Sequence, residues 1–238
     1  MTGKKPPGPA AGSRPAAVRV KTARRRSLSS TLWLERQLND PYVAEAARCG
    51  YRSRAAFKLL RLDERFHLLR PGSRVVDLGA APGGWTQVVV QRVAPGSGGG
   101  RVVALDLLEM APIPGAVVLH ADFLADDACA RLTAALGGQA DLVLSDMAAP
   151  TTGHSATDHL RIMGLAETAY DFAAGVLAPG GAFVCKLFQG GAERQLLDRL
   201  KRAFAQVRHA KPPASRADSS ETYLVATGFS GEPVEGGS

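Results

Sequence analysis

Cysteine is scarce: Cys49, Cys129 and Cys185 are the only three in 238 residues, odd in number and in no C-x-x-C spacing. That argues against a disulfide framework and against a thiolate zinc site, so a reducing compartment is expected. No apolar run approaches the roughly 18 residues needed to cross a bilayer, and the N-terminus lacks the apolar segment of a secretory signal. The expectation is a cytoplasmic protein with no membrane partner. Two phosphate-binding patterns are also missing: the G-x-G-x-x-G spacing that seats a pyrophosphate at a helix N-terminus, and a Gly-Lys-Ser/Thr loop.

Acidic residues are absent from residues 1–29, which carry eight basic ones: Lys4, Lys5, Arg14, Arg19, Lys21, Arg24, Arg25 and Arg26. Since the whole chain is formally +7, the remainder sums to about −1. The basic character therefore belongs to a Pro/Gly/Ala-rich arm of the kind that stays disordered and neutralises phosphates without reading sequence. A passive solubilising tail or an organelle presequence are the competing readings, the second spoiled by prolines and glycines that break an amphipathic helix. Residues 30–230 then form one domain, and 231–238 a flexible tail.

Most informative is Val75-Val76-Asp77-Leu78-Gly79-Ala80-Ala81-Pro82-Gly83-Gly84-Trp85-Thr86-Gln87. An apolar run ending in an acid, then a glycine-rich turn, is how an α/β sheet opens onto a nucleotide-like ligand. The next apolar run, Arg101 to Leu107, carries Asp106 near its end, placed to accept hydrogen bonds from ribose hydroxyls. A ribose without a pyrophosphate suits S-adenosylmethionine.

The rest alternates. Helices are expected over 31–47 and 53–69, before a sheet. Short apolar strands follow at 74–78, 101–107, 116–120, 141–147 and 181–188, most of them separated by helices near 85–93, 126–136, 158–177 and 192–204. This is the signature of a doubly wound, mostly parallel sheet with ligands at the C-terminal strand ends. A last pair, 206–211 and 222–227, has no helix between its members and should pair antiparallel. Unusual polar residues gather at or near the strand ends: Asp77, Asp106, Asp122, Asp146 and Lys186. Lys186 interrupts Ala182-Phe183-Val184-Cys185-Lys186-Leu187-Phe188, where a lysine must find an acid, lose its proton or snorkel to an edge. His154 and His159 lack further ligands in a recognisable spacing and read as loop residues, with no metal implied.

Six segments in order resemble the motifs of the FtsJ/RrmJ (RlmE) family of ribosomal RNA 2′-O-methyltransferases. They are Tyr51 to Leu59, Asp77 to Trp85, Ala104 to Leu108, Ser145 to Ala148, Val184 to Gly190 and Ser219 to Gly228. The family's K-D-K-E tetrad corresponds to Lys58, Asp146, Lys186 and Glu221, with Lys186 as proton acceptor. Its cofactor-contacting positions correspond to Gly83, Trp85, Asp106, Asp122 and Asp146. The resemblance implies a Rossmann-like S-adenosylmethionine-dependent fold with a reversed C-terminal hairpin. It also implies methylation of a uridine ribose 2′-hydroxyl in the A-loop of 23S ribosomal RNA, within the large subunit or its precursor. Two departures stand out: Met147-Ala148-Ala149-Pro150-Thr151 replaces the usual Met-Ala-Pro-Asn, and Ser220 stands where a basic residue often precedes the glutamate. The first bears on the substrate pocket, the second on a phosphate contact. A transfer RNA methyltransferase and a non-catalytic RNA-binding protein are the alternatives, and the intact tetrad argues against the latter.

Overall fold

In the computed structural model the described residues are 27, 30–31, 34–35, 38–93, 100–149, 153–188, 193–216 and 219–231. The basic arm expected over 1–29 lies outside them except for Ser27, and the tail over 231–238 except for Gly231. The chain divides into two compact units, 1–44 and 45–238. The expected helix over 31–47 is interrupted: described residues between 30 and 38 are helical, but a new helix, α1 (Pro41–Arg48), begins at the proline. Proline suits a first helical position because it has no N–H to leave unpaired, and it disfavours helical geometry in the residue before it. Asp40 caps that start, its Oδ1 accepting the Tyr42 N–H at 3.0 Å.

The next helix, α2 (Ala56–Phe66), lies wholly in the second unit and is shorter than the expected 53–69. It stops where His67 turns left-handed (φ 53°) and returns its N–H to the Asp63 carbonyl at 2.8 Å. Then come β1 (Arg74–Leu78), α3 (Gly84–Val93), β2 (Arg101–Asp106), β3 (Val117–His120), α4 (Ala128–Leu136) and β4 (Ala140–Ser145). After these follow α5 (Ser155–Val176), β5 (Leu177–Phe188), α6 (Arg194–Ala203), β6 (Phe204–Ala210) and β7 (Glu221–Phe229). The sheet has seven strands in the order β3-β2-β1-β4-β5-β7-β6, parallel from β3 through β5, with β7 antiparallel to both β5 and β6. The doubly wound α/β sheet and its antiparallel ending are as expected. β4 ends two residues earlier than expected, and β5 begins four earlier.

Strand alternation assigns the two faces. Val75, Leu142, Leu144, Val184, Tyr223 and Val225 pack with α2 and α3, whereas Val76, Val143, Phe183, Cys185 and Leu224 pack with α4, α5 and α6. Continuing β5 by two residues from Val184 puts Lys186 on the side of α2 and α3. Strand order reverses between β1 and β4, opening a crevice at their C-terminal ends. Because β7 runs antiparallel to β5, its first residue, Glu221, lies opposite Phe188 at that same edge. No helix among the described residues is long and apolar enough to cross a membrane.

Candidate functional site

The glycine turn after β1 is fixed mainly by the protein around it. Gly79 (φ 73°) returns its N–H to the Leu105 carbonyl at 2.9 Å, and a Cβ there would come within 2.7 Å of the Met147 Cα. Gly84 opens α3 with a Cβ position 2.3 Å from Ser53 Oγ, and Gly83 (φ 110°) has Ile113 and Arg52 as neighbours. The glycines thus let three other segments close around the turn. Arg52 ties it down further, donating to the carbonyls of Pro82 (3.3 Å), Ala111 (2.7 Å) and Pro112 (2.8 Å). The first helical bond of α3 runs from the Gln87 N–H to the Gly83 carbonyl at 2.9 Å, so the preceding amides point out of the helix N-terminus.

Three acids border this turn. Asp77 is wholly buried at the end of β1; its Oδ2 accepts the Thr86 hydroxyl at 2.6 Å, and its Oδ1 has no partner among the described residues. Burial pushes its pKa up to about 7, against the Thr86 hydrogen bond and with the negative charges of Asp146 and Asp106 adding to the rise. Asp106 is held by two amides, Ala81 N–H to Oδ2 at 2.8 Å and Leu108 N–H to Oδ1 at 2.7 Å. Each oxygen keeps a lone pair for another donor. Asp122, exposed beyond β3, accepts the Leu124 N–H at 2.9 Å. Trp85 is 2% exposed, its indole N–H donating to the Ala55 carbonyl at 2.8 Å and its ring lying 5.6 Å from that of Tyr223. Its ring is therefore engaged inside the protein, and what it presents to the turn is its backbone amide.

The four residues of the expected tetrad meet at the same edge. Lys58, from α2, places Nζ 2.7 Å from Glu221 Oε1 and 2.8 Å from Oε2, and Ser215 Oγ donates to Oε1 at 3.0 Å. Lys186 Nζ lies 2.5 Å from the Asp146 main-chain oxygen and 3.1 Å from Oδ1. Asp146 sits just past β4, anchored by its N–H to the Leu78 carbonyl at 3.0 Å. Between the two ion pairs stands Tyr223, whose hydroxyl donates to Asp146 Oδ1 at 2.8 Å and accepts from Lys58 Nζ at 3.3 Å. Burial first, then the nearby charges of Asp146 and Glu221, hold its pKa well above that of an ordinary phenol, so it stays protonated.

All of the expected positions, Lys58, Asp146, Lys186, Glu221, Gly83, Trp85, Asp106 and Asp122, therefore fall on the C-terminal edge of the parallel strands or on the helices facing it. The tetrad forms one connected chain; Asp122 stands farthest out, beyond β3. Reading strand-end acids and lysines missed Tyr223, Thr86, Ser215 and Ser53. Tyr223 had a signal, since it lies two residues after Glu221 and so on the same strand face; the other three show only when the turns are folded.

Against known proteins, residues 51–229 match the model of the FtsJ-like methyltransferase family. The chain is 70% identical over 226 residues to the "Ribosomal RNA large subunit methyltransferase E" of Paramagnetospirillum magneticum, covering 94% of this chain and 93% of that protein. The Rhodospirillum rubrum protein of the same name is 63% identical over 221 residues, 92% of this chain and 84% of its own length. Among solved structures, a Plasmodium falciparum protein described as a ribosomal RNA methyltransferase superposes with a TM-score of 0.68 at 29% identity, over 76% of this chain and all of that one. With three quarters of its length matched and its sheet, turn and edge cluster in place, the chain belongs to the FtsJ-like methyltransferase family.

Proposed function

We propose that this methyltransferase transfers a methyl group from S-adenosylmethionine to the ribose 2′-hydroxyl of a uridine in the A-loop of 23S ribosomal RNA. Its substrate is the large ribosomal subunit or a precursor. The carrying observation is the continuous array Glu221–Lys58–Tyr223–Asp146–Lys186 beside the glycine turn. The names of the relatives support ribosomal RNA as the substrate class.

The turn suits that cofactor. Asp77 Oδ1 and Ser53 Oγ are buried oxygens without hydrogen-bond partners among the described residues, flanking the N-terminus of α3. An amino-acid moiety brings an ammonium for the first, and a carboxylate for the second and the helix amides. Asp106, pinned by two amides, is left to receive ribose hydroxyls, with Gly83, Trp85, Asp122 and Asp146 completing the surround. When bound, the cofactor supplies an electrophilic methyl carbon on a sulfonium sulfur.

Lys186 accepts the proton. Nζ donates to the Asp146 main-chain oxygen and lies in ion-pair reach of its Oδ1, so that as a neutral amine it would be held in place with a lone pair to offer the ribose hydroxyl. Nζ would take the hydroxyl proton as the ribose oxygen receives the methyl group that the bound cofactor would supply, the cofactor leaving as its neutral thioether. Asp146 orients Lys186, while Lys58, held by Glu221, presents positive charge to the oxygen and adjoining phosphate. Residues 30–230 carry this chemistry and the arm over 1–29 contacts RNA phosphates.

Calorimetry and ribose-methylation mapping test the reading together. S-adenosylmethionine should bind and nicotinamide dinucleotides should not, and large subunits from cells lacking the gene should gain one 2′-O-methyluridine on incubation with the protein. Methylation confined to transfer RNA, or to a base, contradicts it.

A further inference from the structure

Tyr223 is fully buried, yet its hydroxyl bonds to the charged groups Asp146 and Lys58, with the Glu221 carboxylate also acting on it. It lies in β7 directly opposite Lys186 in β5. Its ring is fixed by Trp85 at 5.6 Å and stands 5.8 Å from Lys58 Nζ. The charged groups around it are Lys58 from α2, Asp146 after β4, Lys186 from β5 and Glu221 from β7 itself, while β6, on the other side of β7, sets Ala210 opposite Tyr223. Asp77, at the end of β1, acts on Asp146 through charge, and α3 contributes only the Trp85 ring.

Two lysines and two carboxylates at one edge can pair in more than one way. A phenol has one hydrogen to give, and this one gives it to Asp146; its lone pair then receives Lys58. That polarity leaves Lys58 with Glu221 and makes Asp146 the acceptor for Lys186.

We propose that Tyr223 is a positioning residue of the methyl-acceptor site, its hydroxyl separating the two ion pairs and sharing the Asp146 carboxylate with Lys186. The consequence rests on the reading of Lys186 as proton acceptor: by drawing charge from Oδ1, the phenol weakens the grip of Asp146 on the Lys186 proton. Without the hydroxyl, Asp146 holds that proton more tightly.

Tyr223→Phe keeps the ring and removes the donor. Single-turnover methyl transfer to large-subunit RNA should fall about 10- to 100-fold, the loss expected for a hydrogen bond to a charged group. Affinities for S-adenosylmethionine and RNA should stay within about two-fold, and the basic limb of the rate profile should move to higher pH. In the free protein, the Lys186 titration followed by ¹³C NMR of its ε-carbon should move the same way. Replacing Tyr223 by 3-fluorotyrosine keeps the fold and the hydroxyl while strengthening the donor, and should move both readings to lower pH. Unchanged lysine titrations in both variants overturn the proposal. Should wild-type protein lack a basic limb, the general-base reading fails, while the NMR titrations still decide the role of Tyr223.

Discussion

Lys186 and Asp146 meet through two acceptors on one residue, the main-chain oxygen at 2.5 Å and Oδ1 at 3.1 Å from the ammonium nitrogen. The main-chain contact persists whatever side chain stands at 146, because that backbone is held to Leu78. Asp146 also adjoins the glycine turn through Met147, packed on Gly79. Asp146→Ala should therefore weaken both methyl transfer and cofactor binding, whereas Glu221→Ala should impair transfer alone. Single-turnover rates beside calorimetric affinities separate the two; equal cofactor affinities would show that Asp146 serves only the acceptor side.

The Lys58–Glu221 pair is mostly shielded, with 12% and 13% of the two side chains exposed. Removing either partner leaves the other charge poorly solvated, so each single alanine variant should cost stability, on the order of 1–3 kcal/mol. The double variant should cost less than the two singles together, since nothing charged is left stranded. Urea denaturation of the four proteins gives the coupling, and simple additivity would mean that the pair does not act as one.

Asp77 makes stability depend on pH with a definite sign. Its folded pKa is about 7, raised by burial from an ordinary 3.8. Between these values the unfolded chain has released a proton that the folded protein keeps. Its contribution is therefore full below about pH 4, declines as pH rises to 7 and is flat above, losing up to about 4 kcal/mol. Asp77→Asn retains an acceptor for Thr86 and should remove that decline. Urea midpoints across pH 4–8 decide it, parallel curves for the two proteins being the contrary result.

The sheet was readable in the sequence because strands and helices alternate in hydrophobic period, and β1, the β2 and β3 bodies and the final antiparallel pair fall where that period puts them. Boundaries failed where one residue's backbone preference outweighs the pattern: Pro41 divides a run that otherwise reads as a single helix, and His67 ends α2 by turning left-handed. At the site, strand-end acids and the lysine inside an apolar strand stood out because burying a charge demands a partner. The partners themselves were another matter. Tyr223 reads as one more core aromatic until β7 is placed antiparallel to β5, and Ser53 and Thr86 acquire meaning only once α2 and α3 flank the turn. The glycines read as openings for a ligand, but Gly79 and Gly84 are equally required by Met147 and Ser53.

The arm over residues 1–29 places eight positive charges on the chain and no negative ones. Deleting it should lower RNA affinity and flatten its dependence on salt, because fewer counterions are released on binding, with cofactor affinity unchanged. Binding isotherms at several salt concentrations measure this. Identical slopes with and without the arm would make it a passive tail.

The pH dependence of single-turnover methyl transfer, compared between the wild type and Lys186→Ala, tests the account at its centre. Wild-type rates should rise with pH as a basic group loses its proton, with the methyl group recovered on a ribose 2′-oxygen. Lys186→Ala should lose on the order of 10²- to 10⁴-fold in rate, together with that rising limb, while still binding S-adenosylmethionine and RNA. A near-normal rate with the limb intact in the alanine variant would contradict the assignment, and leave Lys186 a structural partner of Asp146.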